Sequence, residues 1–160
     1  MNQTLQNLNI QEFMTKHLVE VFETMLSMKA VPCMKFDPPH FSSRVSGSVG
    51  FGGEAVTGAV YLHLSAAFAT KVASTMLGLK PEELGGENDV NDVVGEVTNM
   101  LAGGLKSALC DAGAPCAVST PAIIRGTSFI IESLPEVKQL FLLFDCEGER
   151  VFVEVHIKNN

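Results

Sequence analysis

Residues 88–112, NDVNDVVGEVTNMLAGGLKSALCDA, constrain the fold more than any other stretch of this 160-residue chain. At about 100° per residue, Val90, Val93, Val94, Val97, Leu101, Leu105 and Ala108 fall in one stripe, which predicts a long helix buried along one side. Asp92, Glu96, Asn99 and Gly103 fall on the opposite, outward side. Asp92, Glu96 and Asn99 stand at i, i+4 and i+7, so they stack along one line of the helix surface. A carboxylate and a carboxamide are thereby presented side by side, and Gly103, one turn on, removes side-chain bulk. The spacing suits a rigid polar pair that docks into another molecule's site. It also occurs by chance on a solvated helix face, and the line of residues alone does not separate the two.

The rest of the chain supplies partners for that helix. Residues 11–28 predict a first helix with Phe13, Leu18, Val21, Phe22, Met25 and Leu26 inward and Asn9 as cap. Residues 32–41 carry three prolines and predict a loop. Residues 45–64 turn β-like, two strands flanking the cluster Gly50, Gly52, Gly53. That cluster lacks the Gly-Lys-Ser/Thr ending of a phosphate loop and reads as a hairpin or bulge. Ser65 caps a short helix that Gly78 ends, and an acidic linker over 79–89 leads to the organising helix, with Asn88 or Asp89 as its expected cap. Gly113 and Pro115 end it. Strands are then expected over 116–124, 128–133, 138–146 and 151–158, the last two joined through Glu147, Gly148 and Glu149. In the last strand Val151, Val153, Val155 and Ile157 face the core, with Phe152, Glu154 and His156 outward. Strands arriving in runs after each helix predict an α+β fold: one extended, largely antiparallel sheet with the two long helices, 11–28 and 88–112, on one face.

Composition removes several function classes. A net charge of −7 without a Lys/Arg cluster repels phosphate backbones, which argues against nucleic acid. No apolar run reaches the ~18 residues that span a bilayer, so no membrane partner is expected. The first residues have neither a basic nor a continuous apolar region of a secretory signal, which points to the cytoplasm. Cys33, Cys110, Cys116 and Cys146 form no CxxC pair and are expected as free, mostly buried thiols. His17, His40, His63 and His156 lack metal-ligand spacing, so neither a metal nor a cofactor is expected on this chain.

One feature suggests duplication. Thr24-Met25-Leu26 can be laid on Asn99-Met100-Leu101, giving half-repeats of approximately 11–78 and 88–158 within a single domain over 1–160. In that register Val21 stands where the second helix has Glu96, and Thr24 where it has Asn99. Slipping by one residue gives Glu20 and Glu23, still without an amide.

The run Asp92-xxx-Glu96-xx-Asn99, followed by Ala102, Gly103 and Gly104, resembles the signature helix of the CheC/CheX/FliY family of chemotaxis phosphatases. The likeness extends to residues 58–78, GAVYLHLSAAFATKVASTMLG, and to the C-terminal strand pair. A single polar pair favours the CheX-like branch over CheC-like members, which often carry two. The resemblance implies a CheC/CheX-like fold of pseudo-twofold halves and a protein aspartyl-phosphate phosphatase acting on a phosphorylated CheY-like response regulator. It implies Glu96 and Asn99 as the catalytic pair, with Asp92 and Gly103 supporting, and the Mg²⁺ of the reaction held by the regulator. It also implies a homodimer, which would cover an apolar sheet edge. Two other readings stay open: a module of the same fold that binds a regulator or flagellar component without hydrolysis, and a structural dimer whose polar face is merely solvated.

Overall fold

The apolar stripes become three helices in a computed structural model that describes Leu5, residues 7–35 and residues 37–160. They are α1 (Ile10–Leu26), α2 (Ala66–Leu77) and α3 (Glu87–Asp111). Among the described residues seven strands build one sheet: β1 (Ala30–Pro32), β2 (Arg44–Gly52), β3 (Val56–Ser65), β4 (Ala117–Val118), β5 (Ala122–Gly126), β6 (Lys138–Cys146) and β7 (Glu149–Asn159). Every pairing is antiparallel, in the order β1-β6-β7-β3-β2-β4, with β5 beside β2 on the same edge as β4. The order is palindromic: exchanging β1, β2 and β3 for β4, β6 and β7 returns the same sheet read backwards.

The expected α+β architecture is present, and α2 joins the two long helices on the same face. Between them lies one core, in which Met14, Leu18 and Phe22 of α1 and Val94, Val97, Leu101 and Leu105 of α3 meet Val49, Val60, Leu62, Val153 and Val155 of the sheet. The helix starts follow the local chemistry. Asn9 Oδ1 accepts from the Glu12 N–H at 3.1 Å, and Ser65 Oγ accepts from the Phe68 N–H at 3.1 Å. Gly78 ends α2 in the left-handed region at φ 66°, where a glycine carries no steric penalty.

Several local expectations are corrected. Helix α3 starts at Glu87 with Gly86 as cap, because Asp89 turns its carboxylate back to accept from the Gly85 N–H at 2.6 Å and does not cap the helix itself. The stretch expected as strand 116–124 breaks into β4 and β5 around Pro121, which has no N–H to give to the ladder. Residues 128–133 form no strand. They belong to a covering segment over 127–137, on the sheet face opposite the helices. That cover also corrects the reading of β7: Phe152, Glu154 and His156 do point away from the helices, yet all three are buried. Of the four free thiols only Cys146 is fully buried; the other three are half-buried. Residues 1–4 and 6 of the N-terminal reading, and Phe36 of the proline loop, lie outside the described residues. Among the described residues, no helix is long and apolar enough to cross a membrane.

Candidate functional site

Helix α3 delivers its polar line as the periodicity predicts. Val90, Val93, Val94, Val97, Leu101 and Leu105 are buried, while Asp92 and Glu96 are exposed and Asn99 and Gly103 half-exposed. A side chain at Gly103 would meet nothing within 4 Å, so the surface beyond Asn99 is open. Among the described residues, neither the Glu96 nor the Asn99 side chain is held in a hydrogen bond or ion pair by this chain. The nearby cation Arg125 is committed elsewhere. It donates to Asn91 Oδ1 from Nε at 3.0 Å and Nη2 at 2.7 Å, and its Nη1 stands 3.9 Å from Glu87. Both polar groups are therefore available to another molecule.

The helix is seated tightly next to this pair. Thr98 lies against Gly47 of β2, and its Oγ1 donates back to the Val94 carbonyl at 2.7 Å. A side chain at Gly95 would touch Pro121 at 3.4 Å. Small residues on the inward side thus let α3 sit close to the sheet, and the outward line inherits that rigidity.

The first helix carries no equivalent pair. Val21, which the Thr-Met-Leu match sets against Glu96, is buried in the core. Burial favours the slipped register instead, in which exposed Glu20 and Glu23 stand where α3 has Glu96 and Asn99. A carboxylate replaces the carboxamide there, so no group at that position both donates and accepts.

Sequence reasoning missed a second polar cluster, on the far face of the sheet. Ser46 Oγ lies 2.6 Å from His63 Nδ1, and His63 Nε2 lies 2.7 Å from Glu154 Oε2. His156 continues the chain, its Nδ1 2.6 Å from Ser133 Oγ and its Nε2 3.6 Å from Glu154 Oε1. Paired strands bring these residues together: Tyr61 faces Glu154 and His63 faces Phe152 across the β3–β7 ladder. The one available signal was their shared parity, opposite to the core residues of each strand. Serine, histidine and glutamate in hydrogen-bonded series suggest a nucleophile, but the geometry excludes one. Ser46 and His63 are both 0 % exposed, so no substrate reaches the hydroxyl. His63 and Phe152 stack at 5.3 Å, and Phe129 closes over the ring at 6.2 Å. Burial, aided by the Glu154 carboxylate, also holds the neighbouring Tyr61 phenol above its ordinary pKa. The cluster pairs its buried polar groups apart from His156 Nε2, which has no hydrogen-bond partner among the described residues, and ties the 127–137 cover to the sheet. No group of three or more His, Cys, Asp or Glu among the described residues is arranged to hold a metal ion.

The model of the family described as "Chemotaxis phosphatase CheX" matches residues 45–145, which include all of β2 but Arg44, and the whole of β3, α2 and α3. Among solved structures, the chemotaxis protein CheX of Vibrio vulnificus is 26% identical over 94% of this chain and 97% of its own, with a TM-score of 0.79. A CheC-like superfamily protein of a Shewanella species is 26% identical over 95% of this chain and 99% of its own, at 0.78. CheX of Borrelia burgdorferi, solved as a CheX-CheY-BeF3-Mg²⁺ complex, shares the fold at 22% identity over 95% and 99% of the two chains, at 0.74. No curated protein matches the chain.

Proposed function

The chain belongs to the CheX family of chemotaxis phosphatases, and on that premise we propose that it hydrolyses the aspartyl phosphate of a phosphorylated CheY-like response regulator. The observation that carries the reading is the uncommitted pair of exposed Glu96 and half-exposed Asn99 on the outward line of a rigidly seated helix. An aspartyl phosphate is an acyl phosphate with a good leaving group. Its regulator supplies the Mg²⁺ that neutralises charge on the phosphoryl oxygens, so what this chain must add is position. The Asn99 carboxamide oxygen accepts from the attacking water, while its NH₂ donates to a neighbouring acceptor. With a loose transition state no strong base is needed to take the proton. Glu96 pairs with a cation beside the regulator's phosphorylation site and sets the helix in register. Asp92 and Gly103 support the pair, the one adding charge on the same line and the other leaving room for the partner.

The CheX-CheY complex from Borrelia supports the choice of partner. The palindromic strand order supports reading the chain as two related halves, the first of which lacks the pair. We place the protein in the cytoplasm with its regulator. A homodimer fits the outer edge of β5, where Ile124 is exposed beside unpaired backbone. The reading is tested by incubating purified protein with a phosphorylated CheY-like regulator and following release of inorganic phosphate. Accelerated release that Asn99→Ala abolishes is the expected result. Tight binding without accelerated release would replace it with the non-catalytic binding module.

A further inference from the structure

Resting on that reading, we infer that His17 of α1 is a positioning residue for the turn of α3 that carries Asn99. His17 Nε2 lies 3.0 Å from the carbonyl oxygen of Met100, the residue next to Asn99. A carbonyl oxygen only accepts, so Nε2 carries a proton and donates it. Within a helix that carbonyl's ordinary partner is the N–H four residues on, at Gly104. The imidazole reaches it from outside the helix because Gly104 has no side chain: a Cβ there would lie 2.1 Å from Nε2 and 2.5 Å from two ring carbons. Phe13, one turn earlier on α1, stacks on the ring at 5.6 Å and 20°, which fixes its plane.

A mid-helix glycine costs roughly 1 kcal/mol relative to alanine, so Gly104 weakens α3 unless something occupies the gap. His17 occupies it. Near the polar pair α3 is then held by Gly47 at Thr98 and by His17 at Met100. The first contact stops the helix from moving along or into the sheet. The second comes from α1 and stops its outer face from rolling. A carboxamide that orders a water in line with phosphorus depends on that roll, because a shift of about 1 Å at the reacting geometry costs on the order of 100-fold in rate. The docking of the regulator, spread over a wider surface, depends on it much less.

The experiment follows turnover at varied concentrations of a CheY-like regulator phosphorylated by a small acyl-phosphate donor, with Asn99→Ala in parallel. The expected result for His17→Ala is a kcat lowered about tenfold with KM changed less than twofold, since a transition-state interaction is lost and binding is kept. His17→Gln, whose side-chain amide can still donate to the Met100 carbonyl, should restore kcat to within about threefold. Gly104→Ala should copy His17→Ala by displacing the ring, and decides the matter should His17→Ala fail to fold. A kcat within twofold of wild type in both folded variants overturns the inference, as does a loss confined to KM or a His17→Gln variant no better than His17→Ala. Those outcomes leave the phosphatase reading intact as long as Asn99→Ala is inactive. A wild-type protein that releases no more phosphate than the regulator does alone overturns both.

Discussion

A methyl group placed on Gly47 would lie 1.9 Å from Thr98 Oγ1 and 2.9 Å from Thr98 Cβ, so strand β2 and helix α3 meet with no room for a side chain between them. The neighbouring position in α3 is Asn99. Gly47→Ala should therefore destabilise the fold by about 1–3 kcal/mol, the usual cost of overpacking, or push α3 outward. Removing the Thr98 hydroxyl and methyl relieves part of the clash. In denaturant unfolding the double variant Gly47→Ala/Thr98→Ala should thus lose less than the sum of the two single losses. Strict additivity would mean that the backbone moves aside and the contact does not set the position of α3.

The buried chain Ser46–His63–Glu154 should matter for stability and not for turnover. Glu154→Ala leaves His63 Nε2 without its partner inside the sheet's covered face, at a cost of roughly 1–3 kcal/mol. Ser46→Ala should cost less, because the hydroxyl is a small neutral partner of the ring. Neither variant should change the regulator dephosphorylation rate at temperatures where it is folded. A Ser46→Ala protein that is stable yet inactive would restore the nucleophile that burial excludes.

The difference between these two sites also explains what was legible in the sequence. Glu96 and Asn99 share one helix, so 3.6-residue periodicity alone places them on one exposed line. The β2–β3 and β6–β7 hairpins follow from local alternation and turn residues in the same way, whereas the strand order, with β3 beside β7 and β1 beside β6, joins segments about 100 residues apart. The far face was not legible. Period-2 alternation assigns Phe152, Glu154 and His156 to the side away from the helices but does not tell what covers that side. The cover, residues 127–137, has no period of its own. Its fastenings run from Arg44 to the Phe129 carbonyl and from Ser133 to His156, and in the network beneath, Ser46 lies 17 and Glu154 lies 91 residues from His63. The closeness of Gly47 to Thr98 was hidden for the same reason: it joins two elements whose juxtaposition no local pattern encodes.

Burial pushes the Cys146 thiol up to about 11, helped by the neighbouring carboxylates of Glu147 and Asp145. A folded pKa above the unfolded value of about 8.5 means that the native state holds the proton longer. Stability is then unaffected below about pH 8.5 and falls as pH rises from there toward 11, where unfolding releases the proton. Cys146→Ala should flatten that alkaline loss, read as the midpoint of urea unfolding at pH 8 and at pH 10. The native thiol should also resist alkylation at pH 8 under conditions that label half-buried Cys33. Equal labelling of the two would mean that the β6 end opens to solvent.

Glu96 and Asn99 stand one turn apart on the same line, and the proposed mechanism gives them different work. Glu96 makes a charge pair across the interface, so Glu96→Ala should chiefly weaken regulator binding, by roughly 1–3 kcal/mol if the pair is desolvated. Added salt should weaken the wild-type complex and narrow its difference from the variant. Asn99 acts on the water only as the reaction proceeds. Asn99→Ala should therefore leave affinity for a regulator carrying a stable phosphoryl mimic nearly unchanged, and lower turnover by on the order of 100-fold or more. Gly103→Phe supplies the steric control: bulk on the open surface beyond Asn99 should block binding without unfolding α3, because a Cβ at this position meets nothing within 4 Å. Affinity measured by titration and phosphate loss measured in a single turnover separate these effects. An Asn99→Ala protein that dephosphorylates the regulator at the wild-type rate removes Asn99 from the chemistry and leaves the pair as a docking device.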